Sequence, residues 1–410
     1  MQKQIGLSML VYFTVGNFLS FRDKKTLSLE AAPIKDNGSQ IIEVGKHQIL
    51  PSAALYGANS SGKSNFLHAL GAFSAMVNKS SSSSSISRLP VIPFLLDRTS
   101  EKEPSFFEIE VLTPSLYHYR YGFECTQDII VREWLYRIGS RSEKNLFIRE
   151  GEEIGVASSF SEGKGLEERT RSNALFLSVC DAFNGPIAKE LVRSIVIPPI
   201  PDNPQELFDA QLAFIQAAKE VYSEDIIRVF KNLDFGFTSF EIPSSVEEAK
   251  AVKAWTTHNV YDENGQVIGD KRFSMKTSES AGTNRLFDII YLIMSALTEG
   301  SPLVVDEVDR AMHPLITKYV IGLFNNAKTN PRGAQLIFTT HDTNLLSSKI
   351  FRRDQIWFVE KDKTESSDLY CLAEFKDAEG VKVRNDRSFE KDYIQGKYGA
   401  IPYLNYDWED

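Results

Sequence analysis

One eight-residue stretch limits what this chain can fold into more than any other: Gly57-Ala58-Asn59-Ser60-Ser61-Gly62-Lys63-Ser64. It satisfies G-x-x-x-x-G-K-[ST] at every fixed position. The glycines let the backbone turn tightly and aim successive N–H groups at a phosphate. Lys63 can reach the β- and γ-phosphates of a nucleotide as a point charge, and the Ser64 hydroxyl can sit on Mg²⁺. Such a loop needs a buried strand before it and a helix after it. Ser52–Tyr56 is short and mostly apolar, while Phe66, Leu67, Ala69, Leu70 and Phe73 recur at helical spacing. A glycine-rich turn that binds nothing lacks that context. Gly57, Asn59, Ser60, Ser61, Gly62, Lys63, Ser64 and the adjoining Asn65 are therefore the candidate contacts for ATP with Mg²⁺.

The 410 residues suffice for two or three ordinary domains or one head with insertions, and 42% hydrophobic with 25% charged content is ordinary for a soluble globular protein. A formal charge of −9 argues against wholesale coating of nucleic acid but leaves room for a local basic groove. Cys125, Cys180 and Cys371 are scattered without metal-ligand spacing, which fits a reducing compartment. The longest apolar segment, Leu286 to Leu297, contains Asp288 and is too short to cross a bilayer. With no secretory signal pattern at the N-terminus, the expected location is the cytoplasm.

Met9–Phe13, continuing through Asn17–Phe21, and Thr26–Leu29 read as two antiparallel strands. The helix after the phosphate loop is expected to end near Asn78, and the run Ser80–Ser85 to be a solvated linker. From Ile92 to Arg149 the pattern is strand-like, with strict alternation over Tyr117–Phe123 and further segments at Ile129–Val131 and Trp134–Tyr136. Aromatic residues interleaved with His118 and Arg120 resemble a nucleic-acid stacking platform, but alternation more often marks a half-buried strand. Gly151–Thr170 reads as loop, and Leu207 to Phe230 as two helices after the proline cluster Pro198–Pro204. No sustained heptads indicate a long coiled coil. Tyr261–Ile268 is a hairpin around Asn264-Gly265. The expected division is 8–150 as an N-terminal lobe, 151–255 as loop and helical insertion, and 256–410 as a C-terminal lobe.

A second group of residues completes the reading. Leu303-Val304-Val305 ends in Asp306-Glu307, the pattern of a central parallel strand with acids at its carboxyl end. Asp306 can hold Mg²⁺, and Glu307 is placed to take a proton from an attacking water. The strand Ala334–Thr340 runs into His341, which can contact a γ-phosphate or orient that water. Ser280-Ala281-Gly282-Thr283 precedes an apolar helical pattern from Leu286 to Leu297.

The order phosphate loop, Ser-x-Gly, Asp-Glu, His resembles the ABC-type ATPases, including SMC heads and the OLD-like proteins. The resemblance implies a Walker A loop at Gly57–Ser64, Walker B at Leu303–Asp306, a catalytic Glu307 and a switch His341. Ser280, Gly282 and Thr283 fall at the signature, where only Ser280 and Gly282 match the usual Leu-Ser-Gly-Gly-Gln. His313 stands where the D-loop aspartate would fall, and no Q-loop glutamine is evident. These departures are themselves similar to the RloA, AbiL and PARIS ATPases of bacterial anti-phage systems. The shared features are Asn17–Phe21, Glu279–Thr283, Asp306–Asp309, His313-Pro314 and Tyr398–Pro402.

That resemblance implies an ABC-type α/β head, with a mixed central sheet, an antiparallel β subdomain and a helical insertion. It implies an ATPase switch that sandwiches ATP between two copies of itself and controls a separate effector, a TOPRIM-like nuclease, on a phage-encoded or DNA trigger. No membrane partner is implied. Glu360 and Asp362, after His341, read as hairpin-end charges, and no nuclease domain is expected on this stretch. The alternative is an SMC-like head for DNA repair or chromosome organisation. A transporter subunit would need a cleaner signature and Q-loop.

Overall fold

The computed structural model describes residues 8–195, 197, 226, 228–230, 233, 235–241, 243, 246–377 and 380–402. Most of the expected helices over 207–230 lie outside them. In chain order the strands are β1 (Met9–Gly16), β2 (Lys25–Ser28), β3 (Ile42–Val44), β4 (His47–Ile49), β5 (Ser52–Tyr56), β6 (Ser105–Leu112), β7 (His118–Cys125), β8 (Ile130–Ile138), β9 (Glu143–Glu150), β10 (Glu153–Val156), β11 (Ser239–Glu241), β12 (Trp255–Tyr261), β13 (Val267–Ser274), β14 (Pro302–Val305), β15 (Gln335–Thr339), β16 (Ile356–Lys361) and β17 (Ser367–Cys371). The first helices are α1 (Lys63–Lys79), α2 (Phe176–Ala182) and α3 (Pro186–Ile195). The chain forms two units. One comprises residues 1–199, 297–308 and 321–410; the other comprises 200–296 and 309–320.

The first unit holds two large sheets. Strands β14, β15, β5 and β16 run parallel in that order, and β17 closes the edge antiparallel to β16. The other sheet is antiparallel throughout, in the order β10-β9-β8-β7-β6-β1-β2. This is the α/β class expected, with a mixed sheet and an antiparallel β subdomain. Strand β6 buries Phe107, Ile109 and Val111, the alternate residues that face its core side. The apolar face of α1 lies on the same core: the Phe73 ring meets Phe13 and Tyr121 edge-on and stacks on Phe123 at 5.5 Å. A polar residue joins the sheets. Fully buried Gln335 on β15 accepts from Leu10 N at 2.6 Å and donates to Leu10 O at 2.9 Å, where β1 bulges before Tyr12.

Several local expectations are corrected. Asn17–Phe21 is a turn rather than strand, because Asn17 and Leu19 take left-handed backbone angles and Phe18 pairs with Phe21. Ile129–Val131 and Trp134–Tyr136 fall on one stretch of chain, with β8 continuous from Ile130 to Ile138. Within 151–170 the chain adds β10 and short 3-10 turns to the expected loop. β14 is the edge strand of its sheet, not a central one, although Leu303–Val305 are buried. The serine run is tied down. Arg171 Nη2 donates to the carbonyls of Ser80, Ser81 and Ser83, and Asn173 Nδ2 to those of Ser84, Ser85 and Ser87.

Two buried charges organise this corner. Glu133 accepts from Phe176 N (2.7 Å), Leu177 N (3.0 Å) and Tyr121 Oη (2.9 Å). Arg149, 3.9 Å from it, donates to the carbonyls of Gly151, Arg171, Ser172 and Ala174. Arg149→Met would leave Glu133 buried without its counter-charge and take one donor from each of four carbonyls, of which Arg171 O and Ser172 O keep the backbone donors Ala174 N and Ile130 N. We expect it to cost about 3–5 kcal/mol in denaturant unfolding.

The second unit contains the three-stranded antiparallel sheet β11-β12-β13. Its β12–β13 turn spans Asp262–Gln266, with Gly265 at φ 76° and the Asp262 carboxylate accepting from Asn264 N and Gln266 N.

At the C-terminal end of the first unit, the helix Phe389–Ile394 and the segment Tyr398–Ala400 pack on the β16–β17 hairpin. Tyr370 Oη donates to Tyr398 O, and Ala400 N donates to Glu360 Oε2. Asp362 closes the hairpin turn by accepting from Thr364 N and Ser366 N. Burial works to raise the Asp392 carboxyl, but hydrogen bonds from Arg387, Lys397 and Tyr398 outweigh it and hold it at about 2. The folded value lies below the ordinary 3.8, so this stabilisation is present above that value and is lost as pH falls towards about 2. Hydrogen exchange should show residues 389–400 loosening in that window, and Asp392→Asn should be loosened at every pH.

Candidate functional site

The site is built on the carboxyl edge of a parallel sheet, where open α/β sheets bind ligands. Register aligns that edge: Val305 pairs with Phe338, and Phe338 with Ala54. The chain leaves β5 into the phosphate loop, β14 into Asp306-Glu307, and β15 into Thr340-His341. Glu307 and His341 are exposed there and Asp306 is half-buried.

The loop between β5 and α1 has the form of a phosphate cradle. Gly62 sits at φ 112° and a Cβ on it would lie 2.2 Å from Ser367 Oγ, so only glycine fits. A Cβ on Gly57 would lie 2.2 Å from Val359 O. Ser60 adopts a left-handed φ of 61°. Lys63 is buried and its Nζ donates to Gly57 O and Ala58 O, both at 2.9 Å, which holds the ammonium across the loop. No acidic side chain stands in the first turn of α1, and its Gly62 N-cap provides no side-chain acceptor. The helix N-terminus thus retains its pull on an anion. The Ser61 hydroxyl is buried without a hydrogen-bond partner among the described residues. An orphaned hydroxyl, a Cβ-free cradle and a held ammonium fit a nucleotide's phosphates, and Ser64 with Asp306 supplies the oxygen donors that Mg²⁺ prefers.

Residues remote in sequence hold this loop. Ser367 Oγ donates to Ser61 O at 2.6 Å and lies 2.8 Å from Ser20 Oγ, while Asn65 Nδ2 donates to Ser20 Oγ at 2.8 Å. Thr339 does the same for the acids. Its hydroxyl donates to Asp306 Oδ1 and accepts from Glu307 N at 2.7 Å. Glu307 is held at φ 48°, a left-handed conformation that costs a non-glycine residue about 1 kcal/mol or more. Sequence reasoning passed over Thr339 and Ser367 because a strand threonine and a strand serine carry no pattern. Ser20 lay within the quoted Asn17–Phe21 segment, which was the available signal.

Ser280, Gly282 and Thr283 lie in the second unit. Ser280 Oγ accepts from Thr283 N at 3.1 Å and so caps the helix Ala281–Glu299. A Cβ on Gly282 would lie 2.8 Å from Ala311 O. Glu279 accepts from Thr256 Oγ1 at 2.7 Å and lies 2.9 Å from His258 Nε2. His313 caps the helix Pro314–Asn325, its Nδ1 accepting from Leu315 N at 3.2 Å. Gly62→Ala should weaken the loop directly. We expect a loss of about 1–3 kcal/mol in unfolding, and reduced nucleotide affinity by calorimetry.

Residues 52–347 match the protein family described as "AAA domain, putative AbiEii toxin, Type IV TA system". No curated protein matches the chain. Among solved structures, the SMC head domain from Thermotoga maritima is 14% identical, with 88% of this chain and 98% of that one covered and a TM-score of 0.41. An Smc head domain with an extended coiled coil, bound to the C-terminal domain of ScpA and derived from Pyrococcus furiosus, is 11% identical, with 89% and 96% covered and a TM-score of 0.42. The recombination mediator protein RecF of the RecFOR pathway is 13% identical, with 90% and 100% covered and a TM-score of 0.32. The family match spans well over half of the sequence, and the chain belongs to that AAA-domain family.

Proposed function

We propose that this chain is an ATP-binding and ATP-hydrolysing switch of the ABC type, serving a bacterial anti-phage defence system by controlling a separate effector. The observation that carries the reading is the shared edge of β14, β15 and β5, which gathers the phosphate loop, Asp306-Glu307 and His341. Loop N–H groups from Gly57 to Asn65 and the α1 N-terminus hold the phosphates, and Lys63 adds a positive charge beside them. Ser64 and Asp306 would hold Mg²⁺, which would supply charge neutralisation to the phosphates. Glu307 takes the proton of the attacking water, and His341 orients that water. Thr339 keeps both acids in place and is a positioning residue.

On this reading the lobes 8–150 and 256–410 bracket an insertion over 151–255. Ser280, Gly282 and Thr283 of a second copy complete the pocket, so hydrolysis requires assembly. The toxin–antitoxin description of the family favours a defence role in the cytoplasm, with a TOPRIM-like nuclease as the expected effector and a phage product or DNA as the trigger.

Glu307→Gln should lower ATP hydrolysis about a hundredfold or more while ATP binding persists. It should also hold the assembled state during size-exclusion chromatography with ATP. Hydrolysis at the parental rate would remove Glu307 from the role of base. Stimulation of hydrolysis by DNA, with no effector recovered on the trapped variant, would favour a DNA-repair head instead.

A further inference from the structure

The antiparallel sheet carries a cleft of about 580 Å³ that shares no lining residue with the phosphate loop. Three connections wall it: Gly45-Lys46 between β3 and β4, Leu116-Tyr117 before β7, and Gly139–Ser142 between β8 and β9. Lys46, Arg137, Arg141 and Lys144 line it, and among the described residues no carboxylate does. On a chain of net charge −9, four cations converging from separate elements are not a solvated average. Nearby carboxylates have partners: Glu110 on His118, Glu143 on Arg120, Glu30 at 4.0 Å from His47, and Glu190, which accepts from Ser115 N at 3.1 Å.

The lining also offers flat surfaces. The Arg137 guanidinium lies 4.6 Å from the Tyr117 ring and 5.4 Å from the Tyr119 ring, and donates to Tyr119 Oη at 3.0 Å. Tyr119 is buried, but Tyr117 is 46% exposed, so the stacked pair presents an accessible planar surface. His118 is only 8% exposed and lines the cleft, with a buried Nδ1 that has no hydrogen-bond partner among the described residues. Cations without acids, a stacking plane and an unsatisfied ring nitrogen in a space of this size suit a phosphorylated ligand with an aromatic base.

We propose that this cleft binds a nucleotide unit through phosphate and base, either free or at the end of a single nucleic-acid strand. The two sources share one chemistry and are separated by two probes on the full chain. One is a fluorescein-labelled thymidine oligonucleotide followed by anisotropy. The other is thymidine bisphosphate followed by calorimetry. Neither carries the triphosphate that the phosphate loop is built for. Arg141 and Lys144 are exposed, so reversing both with Arg141→Glu and Lys144→Glu leaves the core intact; circular dichroism checks this.

The double variant should bind the strand at least about tenfold more weakly at physiological salt, and Tyr117→Ala about fivefold more weakly. Lys63→Ala should still bind whichever probe the parent chain binds. Binding of the oligonucleotide alone assigns the cleft to a strand end, and binding of the bisphosphate with equal strength assigns it to a free nucleotide. The proposal fails if neither probe binds. It fails equally if binding survives the double variant or disappears with Lys63→Ala. A change in oligomeric state of the double variant with unchanged probe binding would make the cleft a contact between copies and also overturn it.

Discussion

Parallel pairing is the constraint on which the rest of this structure depends. Strands that run the same way bring their carboxyl ends to one edge, and the chain must leave each of them there. β14, β15 and β5 pair in continuous register, so three segments far apart in sequence emerge side by side. A slip of one residue would move Asp306 and Glu307 out of line with Thr339 and the phosphate loop. The Thr339 hydroxyl then refines what register places roughly, holding the Asp306 carboxylate and the Glu307 amide from one atom.

The antiparallel sheet is tied to this edge from behind. Gln335 begins β15, whose far end carries Thr339, and its amide completes the hydrogen bonding of Leu10 at the bulge of β1. A buried amide with every polar atom paired specifies one arrangement, since any other leaves polar atoms unsatisfied. The same sheet positions α1 through Phe73, so the helix that begins at Lys63 is fixed at its apolar face as well as at its N-terminus.

Much of this was legible in the sequence wherever a local pattern carries a local cause. The phosphate loop, its strand and its helix announced themselves by fixed spacing and periodicity. The Asn-Gly hairpin did so by its turn residues. Where long-range contacts decide, the sequence misleads. Leu303–Val305 read as a central strand because apolar runs report burial, not position in the strand order. Asn17–Phe21 read as strand from its aromatic content, yet the Asn17 amide bonds to the carbonyls of Ser100 and Glu103 and bends the chain. The serine run read as a solvated linker, and Ser82, Ser84 and Ser85 are exposed, but its backbone is held. Nothing in it shows that Arg171 and Asn173 would collect its carbonyls. At Tyr117–Phe123 the expected alternation is present, with Tyr119, Tyr121 and Phe123 inward, but both faces are largely covered.

The clasp around the phosphate loop bears on how such chains evolve. Gly62 leaves the space that Ser367 and Ser20 fill, and Asn65 completes the contact. Ser20 and Ser367 stand 347 positions apart, and a bulkier side chain at either meets the loop backbone. A change at one of these four positions therefore has to be matched at the others. A recombination crossover between 65 and 367 that joins diverged parents would separate them, and the hybrid would carry an intact motif on a loop it could no longer shape.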